Sequence, residues 1–328
     1  MQTAERLGTP VLAVDIGGTK IVTAIIYGNG RFLDKRRSLT LAHEGVHAVL
    51  NRLFATIDGL LAGNSLEPSQ LGAISLAAAG AIDSRHGVIT LSPNLPGWRD
   101  VPLRDMVGER YQVDAFLVND ASVAALGEHR FGAGRGVSHL VMLTLGTGIG
   151  GGIIINGEMY EGATGSAGEI GHMVIDINGP ECACGNRGCL EMLASGTAVA
   201  REAVKRIGQG EKSILVDMVK GKIEEIDAEK VGVAARRGDS LALNVLSRAG
   251  TYLGVGLTNL VNIFNPEMIV LGGGMVGLGD LLLSPAKKVI SERAFPISAQ
   301  AVRIVTTQLG DEAGLYGAAA FAIQRVRR

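Results

Sequence analysis

Neither sign of charge dominates this 328-residue sequence: 31 basic and 32 acidic residues leave a net charge of -1. The broad positive field needed to hold nucleic acid or an anionic membrane surface is therefore lacking, and neither is expected as a partner. A basic-then-apolar leader is absent from the N-terminus, which argues against a signal peptide. Long uninterrupted apolar runs are missing as well. The stretch Leu140 to Ile155 is broken by five glycines and Ala249 to Pro266 by three asparagines, so interior strand and helix fit better than a membrane span. Cysteine is scarce, and an odd count of three, with Cys182 and Cys184 one residue apart, excludes a disulfide framework. Reduced thiols suit a cytoplasmic location. Aromatic residues make up only 4% of the chain, whereas glycine, at 47 residues, reaches about twice its usual share. Many backbone positions must turn tightly or approach something closely.

The three cysteines stand together in Cys182-Ala-Cys184-Gly-Asn-Arg-Gly-Cys189, with His172 ten positions upstream of the first. Three thiolates and one imidazole form a complete tetrahedral Zn²⁺ set with no open position for a substrate water, so the metal is expected to be structural.

A chain of this length exceeds the size at which one core keeps growing, and two domains are expected. The segment Val11 to Ile16 has the composition of a buried strand, Gly17-Gly18 forms a turn, and a second strand runs to Tyr27. The pattern returns from His139 to Gly157. Overlaid, Asp15-Ile-Gly17-Gly18-Thr19 matches Thr144-Leu-Gly146-Thr147-Gly148 in its position within the hairpin. Two related α/β halves facing each other across a cleft are the simplest architecture this allows. The expected division is residues 1–121 plus 311–328, a smaller domain, and residues 122–310, a larger one with the cysteine loop and an adenosine-binding region. Between the hairpins, apolar spacing predicts a helix over Gly45 to Leu61 and strands at Leu71 to Ala77 and Phe116 to Asn119, the latter followed by a helix from Ala121. Further helices are expected over Thr197 to Ile207, Ser240 to Phe264 and Glu312 to Arg327.

Gly146-Thr-Gly148-Ile-Gly-Gly151 satisfies the dinucleotide fingerprint G-x-G-x-x-G, but that motif must open a helix, and here Ile153-Ile-Ile155 continues as a strand. A phosphate loop of the G-x-x-x-x-G-K type is absent too. Two matched turns that present backbone N–H groups, with Asp15 and Lys20 beside the first, instead suit a triphosphate, the acid placing Mg²⁺. The turn at Gly272-Gly273-Gly274 leaves a buried strand and leads towards a helix, a shape that suits an adenine or ribose.

Asp15-x-Gly17-Gly18-Thr19-Lys20, Asn119-Asp120, Leu145-Gly146-Thr147-Gly148-Ile-Gly150-Gly-Gly152, Glu169-x-Gly171-His172 and Cys182-x-Cys184-Gly185-x-x-Gly188-Cys189-x-Glu191 occur in order along the chain. Together they resemble the ROK family (repressors, open reading frames, kinases), with the glucokinase-type sugar kinases as the nearest branch. The resemblance implies the α/β fold shared by actin, hexokinase and the heat-shock ATPases, with the last helix returning to the N-terminal domain. It implies ATP-dependent phosphorylation of a hexose at its 6-hydroxyl, with glucose as the leading substrate. N-acetylmannosamine, N-acetylglucosamine, fructose or allose would keep the same motifs, and polyphosphate could replace ATP. Asp120 is implied as the catalytic base; Gly80, Asn94, Asn119, Glu169, His172 and Glu191 join it as sugar contacts. Asp120 alone also fits a helix cap before Ala121. The family's sugar-responsive repressors need a basic helix-turn-helix; about ten residues with one Arg and no Lys precede the first strand, so a repressor is not expected. The long apolar helices of the second half make a homodimer the expected assembly.

Overall fold

The computed structural model describes residues 8–92 and 94–326. In chain order the strands β1 (Val11–Ile16), β2 (Lys20–Ile26) and β3 (Phe32–Leu39) are followed by helix α1 (Val46–Gly63) and strand β4 (Ile74–Ala78). Then come β5 (Ala81–Asp83), β6 (Val88–Leu91), β7 (Arg99–Val101), α2 (Leu103–Tyr111), β8 (Ala115–Asn119) and α3 (Asp120–Phe131). The next stretch holds β9 (Leu140–Leu145), β10 (Ile149–Ile155), β11 (Glu158–Met159), α4 (Leu190–Ala194), α5 (Gly196–Gly208), α6 (Leu215–Met218), α7 (Ala228–Arg236) and α8 (Ser240–Phe264). The chain ends through β12 (Met268–Gly272), α9 (Asp280–Arg293), α10 (Pro296–Ala301), β13 (Arg303–Thr306) and α11 (Ala313–Val326).

Two five-stranded sheets repeat one topology, β3-β2-β1-β4-β8 and β11-β10-β9-β12-β13. In the first, β1 pairs antiparallel with β2 and parallel with β4, which runs parallel to β8. In the second, β12 lies parallel to both β9 and β13. The matched glycine turns therefore occupy equivalent places in duplicated sheets, as their overlay predicted. The chain divides into two compact units, residues 1–138, 152–168 and 307–328 in the first and residues 139–151 and 169–306 in the second.

This division differs from the one expected from sequence in that residues 122–138, which include α3, and residues 152–168 and 307–310 fall in the first unit. The placement of α3 has its reason in two glycines. A Cβ on Gly127 of α3 would collide with the carbonyl of Ala313, and one on Gly317 of α11 with that of Val123. Bare backbone at both positions lets the two helices cross in close contact. The first unit's core joins Leu12, Val14 and Ile16 of β1 to Leu53, Ile57 and Leu60 of α1, with Trp98 fully buried beside them. The helix predicted over Gly45 to Leu61 is α1, and Ser240 to Phe264 is α8 as predicted. The small sheet β5-β6-β7 was not legible, since its strands have only three or four residues. None of the described helices is long and apolar enough to cross a membrane.

Candidate active site

On the first unit, Asp15 sits near the end of β1, paired across the hairpin with Val22. Burial, with the charge of Asp120 added, pushes its carboxyl up to about 7, although Lys20 draws it down. Gly314, at the start of α11, stands against the Asp15 carboxylate, with Oδ2 3.4 Å from where its Cβ would be. Lys20 Nζ pairs with Asp311 Oδ2 at 3.2 Å. Asp311 escaped sequence reasoning because no motif marks it; its charge acts on Asp15 as well.

The turn from Gly17 to Lys20 is closed by the Gly17 N–H donating to Lys20 O at 3.0 Å. Thr40 braces it, its hydroxyl donating to Gly17 O at 2.6 Å and its N–H to Thr19 O at 3.0 Å. The N–H groups of Gly18 and Thr19 have no acceptor among the described residues. Donors left open in this way are what a turn needs in order to hold an anion. Gly18 is required here, since a Cβ would lie 2.8 Å from Asn94 O. That close approach brings Asn94 against the turn.

Asp120 opens α3, but the cap is its neighbour: Asn119 Oδ1 accepts from Ser122 N at 3.1 Å, and Asn119 Nδ2 donates to Gly80 O at 3.3 Å. The alternative in which Asp120 itself caps the helix does not hold. Burial raises its carboxyl above the ordinary carboxylate range, and the N–H of Ala121, 2.8 Å from Oδ1, draws it partly back. Gly80, at φ +123°, turns the chain tightly enough that a Cβ would strike the backbone around Leu91 and Ser92. Gly80, Asn94, Asn119 and Asp120 thus share one surface of the first unit with Asp15 and the first glycine turn.

On the second unit, Gly146 N donates to Gly148 O at 2.9 Å. The start of α5 takes up the turn's carbonyls, with Gly196 N on Gly146 O at 2.8 Å and the Thr197 hydroxyl on Thr147 O at 2.8 Å. Thr147 and Gly148 keep N–H groups with no acceptor among the described residues. Beside this turn opens a cavity of about 780 Å³ lined by Gly146, Thr147, Thr197, Arg236, Gly274 and Met275, among others. Its size suits a small-molecule ligand, and the N-terminus of α5 lies at its edge, where an anion is favoured. Gly148 and Gly273 shape the cavity without lining it; Gly273, at φ +85°, packs against the Leu145 backbone. Asp227 and Arg236, which also line the cavity, were not anticipated because α7 and its cap read from sequence only as a charged amphipathic stretch; Thr197 was read only as the start of a helix.

Also on this unit, the donor atoms of His172, Cys182, Cys184 and Cys189 all lie within 4.8 Å of one another. Cys182 Sγ is 3.6 Å from His172 Nδ1, and Cys184 Sγ is 3.6 Å from Cys189 Sγ. A tetrahedral Zn²⁺ with its usual bond lengths has ligand–ligand edges of about 3.5 to 3.8 Å, so the set fits that ion. Cys189 is pushed up to about 12 by burial and then by the neighbouring thiols, whereas an N–H from Asn186 brings Cys184 down to about 7. Ionising three thiols this close together calls for a cation among them. The knuckle is held by its backbone, with Cys182 N on Asn186 O at 2.8 Å and Gly185 N on Cys182 O at 3.0 Å. His172 turns its other nitrogen outward, Nε2 lying 3.9 Å from Glu169 Oε2. Glu191, two residues after Cys189, accepts from Ile149 N at 2.8 Å through Oε2.

With this geometry in hand, the comparisons with known proteins are specific. Residues 11–325 match the ROK family. The chain is 37% identical over 319 residues to a glucokinase of Thermotoga maritima, covering 96% of this chain and 98% of that protein. A putative xylose repressor of Caldicellulosiruptor is 34% identical, covering 95% of this chain and 78% of the repressor. A ROK family glucokinase of Streptomyces griseus, solved in complex with glucose and AMPPNP, superposes with a TM-score of 0.80 at 34% identity, covering 96% of this chain and 99% of that one.

Proposed function

Because the chain belongs to the ROK family, with the actin- and hexokinase-like fold of its kinases, we infer that it is an ATP-dependent hexose kinase. The reaction is transfer of the terminal phosphoryl group of ATP to a hexose, with the 6-hydroxyl of glucose as the proposed acceptor. The observation that carries the reading is Asp120, a half-buried carboxylate with a raised pKa on the first turn of α3, a helix whose N-cap is Asn119. Phosphoryl transfer needs an aligned hydroxyl and a group to take its proton, and a carboxylate with a raised pKa meets that need.

Asn119 and Gly80 are proposed to hold the sugar beside Asp120, joined by Asn94. Glu169, His172 and Glu191 are proposed as further sugar contacts, reading hydroxyls as acceptors and donors; polar groups left unpaired by a wrong hexose are the source of selectivity. The turns at Gly17 to Lys20 and Gly146 to Gly148 are assigned to the phosphates, and the cavity at Gly274 to the nucleoside. Asp15 is the proposed Mg²⁺ ligand, since a buried acid pushed up to about 7 gains most from a neighbouring cation. Zn²⁺ is proposed for the Cys₃His set as a structural ion that keeps Glu169, His172 and Glu191 on one stiff loop. Metal on Nδ1 of His172 leaves the hydrogen on Nε2, which faces Glu169.

Reduced thiols support a cytoplasmic location. The exposed Ile263, Phe295 and Ile297, at 68%, 69% and 78%, support a homodimer. The repressor relatives favour a second reading, in which a sugar is bound and not turned over. An ADP-release assay over a panel of hexoses, with ATP and polyphosphate compared, separates the two. Turnover on glucose with ATP is the expected result, and binding of sugars without ADP release supports the second reading.

A further inference from the structure

Glu191 does two things at once. It follows directly on the metal cluster through Cys189, and its Oε2 receives the N–H of Ile149, the residue that ends the second glycine turn, at 2.8 Å. Gly148 is bare because a Cβ there would overlap the Glu191 carboxylate. Ile149 is buried, so this N–H has no water in place of the carboxylate. The peptide from Cys189 to Thr197 then continues along the same turn, meeting Gly146 O through Gly196 N and Thr147 O through Thr197. With both carbonyls and the Ile149 N–H occupied, Thr147 and Gly148 are left with N–H groups that donate to no described residue.

We propose that Glu191 is a positioning residue for the nucleotide as well as a contact for the sugar, so that one carboxylate couples the two substrates. Resting on the sugar role assigned above, the coupling works through Oε2. The oxygen holds the end of the turn in register, and the turn in register aims the N–H groups of Thr147 and Gly148 at a phosphate. A sugar hydroxyl that fixes the carboxylate then also fixes the turn. Substrates linked in this way raise each other's affinity by the same factor.

Calorimetry with AMPPNP and Mg²⁺, without sugar, tests the proposal. Glu191→Ala is expected to weaken the nucleotide at least fivefold, since the Ile149 N–H loses its acceptor. Glu191→Gln is expected to stay within twofold of the unaltered protein, since its amide oxygen accepts the same N–H. Both variants are expected to raise KM for glucose. That split, with the Gln variant rescuing nucleotide binding but not sugar binding, is one that a merely structural role does not produce. Gly148→Ala, which displaces the carboxylate from the other side, should weaken glucose at least threefold with no nucleotide present. Nucleotide binding unchanged in Glu191→Ala, or weakened as much in Glu191→Gln, overturns the proposal, as does unchanged glucose affinity in Gly148→Ala. Sugar affinity untouched by any Glu191 variant removes the sugar contact itself, and the nucleotide measurements show separately whether the turn still depends on this residue.

Discussion

Asp120 and Asp15 are carboxylates whose charges act on each other, and distinct tasks are proposed for them. Asn119, not Asp120, is the N-cap of α3, which is compatible with the proposed base role of Asp120. Asp120→Asn keeps the shape but cannot accept a proton, so kcat should fall by at least about 10²-fold while glucose affinity stays within a few-fold; steady-state kinetics with calorimetry check this. Asp15 makes a prediction about pH. Its folded pKa, about 7, lies above the ordinary 3.8, so the folded state holds its proton more tightly than the unfolded chain does. Between those values the unfolded chain is ionised while the folded one is not, and stability falls as pH rises from about 4 to 7. Without Mg²⁺ or nucleotide, Asp15→Asn should therefore melt higher than the unaltered protein at pH 8, with the gap closing towards pH 4. Thermal melts across that range decide it, and a constant gap refutes the assignment.

Among the elements, two depend on single small residues. The crossing of α3 and α11 requires Gly127 and Gly317, and Gly317→Ala forces a methyl into the carbonyl of Val123. Overpacking of this kind costs about 1–3 kcal/mol, so the variant should unfold at a lower denaturant concentration with the slope unchanged. The cysteine knuckle is expected to depend on the proposed Zn²⁺ in the same all-or-none way. Cys184→Ala opens a closed tetrahedral set, and it is expected to lose metal, stability and glucose binding together. Metal analysis on the purified variant, followed by calorimetry with glucose, provides the check. A protein that carries no zinc, or a variant that binds glucose normally, defeats the structural-zinc reading.

For the molecule as a whole, the duplicated sheet is the main result. The same strand order occurs twice, and each copy carries its glycine turn between the same two strands. The two turns proposed to hold phosphates thus occupy equivalent places in one repeated topology. Assembly is the other whole-molecule question. Asn262 Oδ1 accepts from Phe295 N at 2.9 Å, which holds the end of α8 beside the start of α10, where Ile263, Phe295 and Ile297 are each exposed. Sedimentation velocity should show a species of twice the 34.1 kDa chain mass, and Ile297→Asp should shift it to the monomer. A monomer in the unaltered protein refutes the dimer.

Sequence alone determined whatever depends on local spacing. The Cys₃His set was legible because four ligands of two types within eighteen residues have few other uses. Both hairpins and α8 were legible because glycine turns and helical periodicity act over short range. Only the tertiary structure decided which residues meet across long separations. Asp311 on Lys20, Thr40 on Gly17, the Asn119 contact with Gly80, and Glu191 on Ile149 each join segments that no local pattern relates. The membership of α3 is of the same kind: what places it is the bare backbone of Gly317, almost two hundred residues away along the chain. Local propensities choose elements, whereas packing chooses partners, and packing depends on shapes that exist only once the sheets have formed.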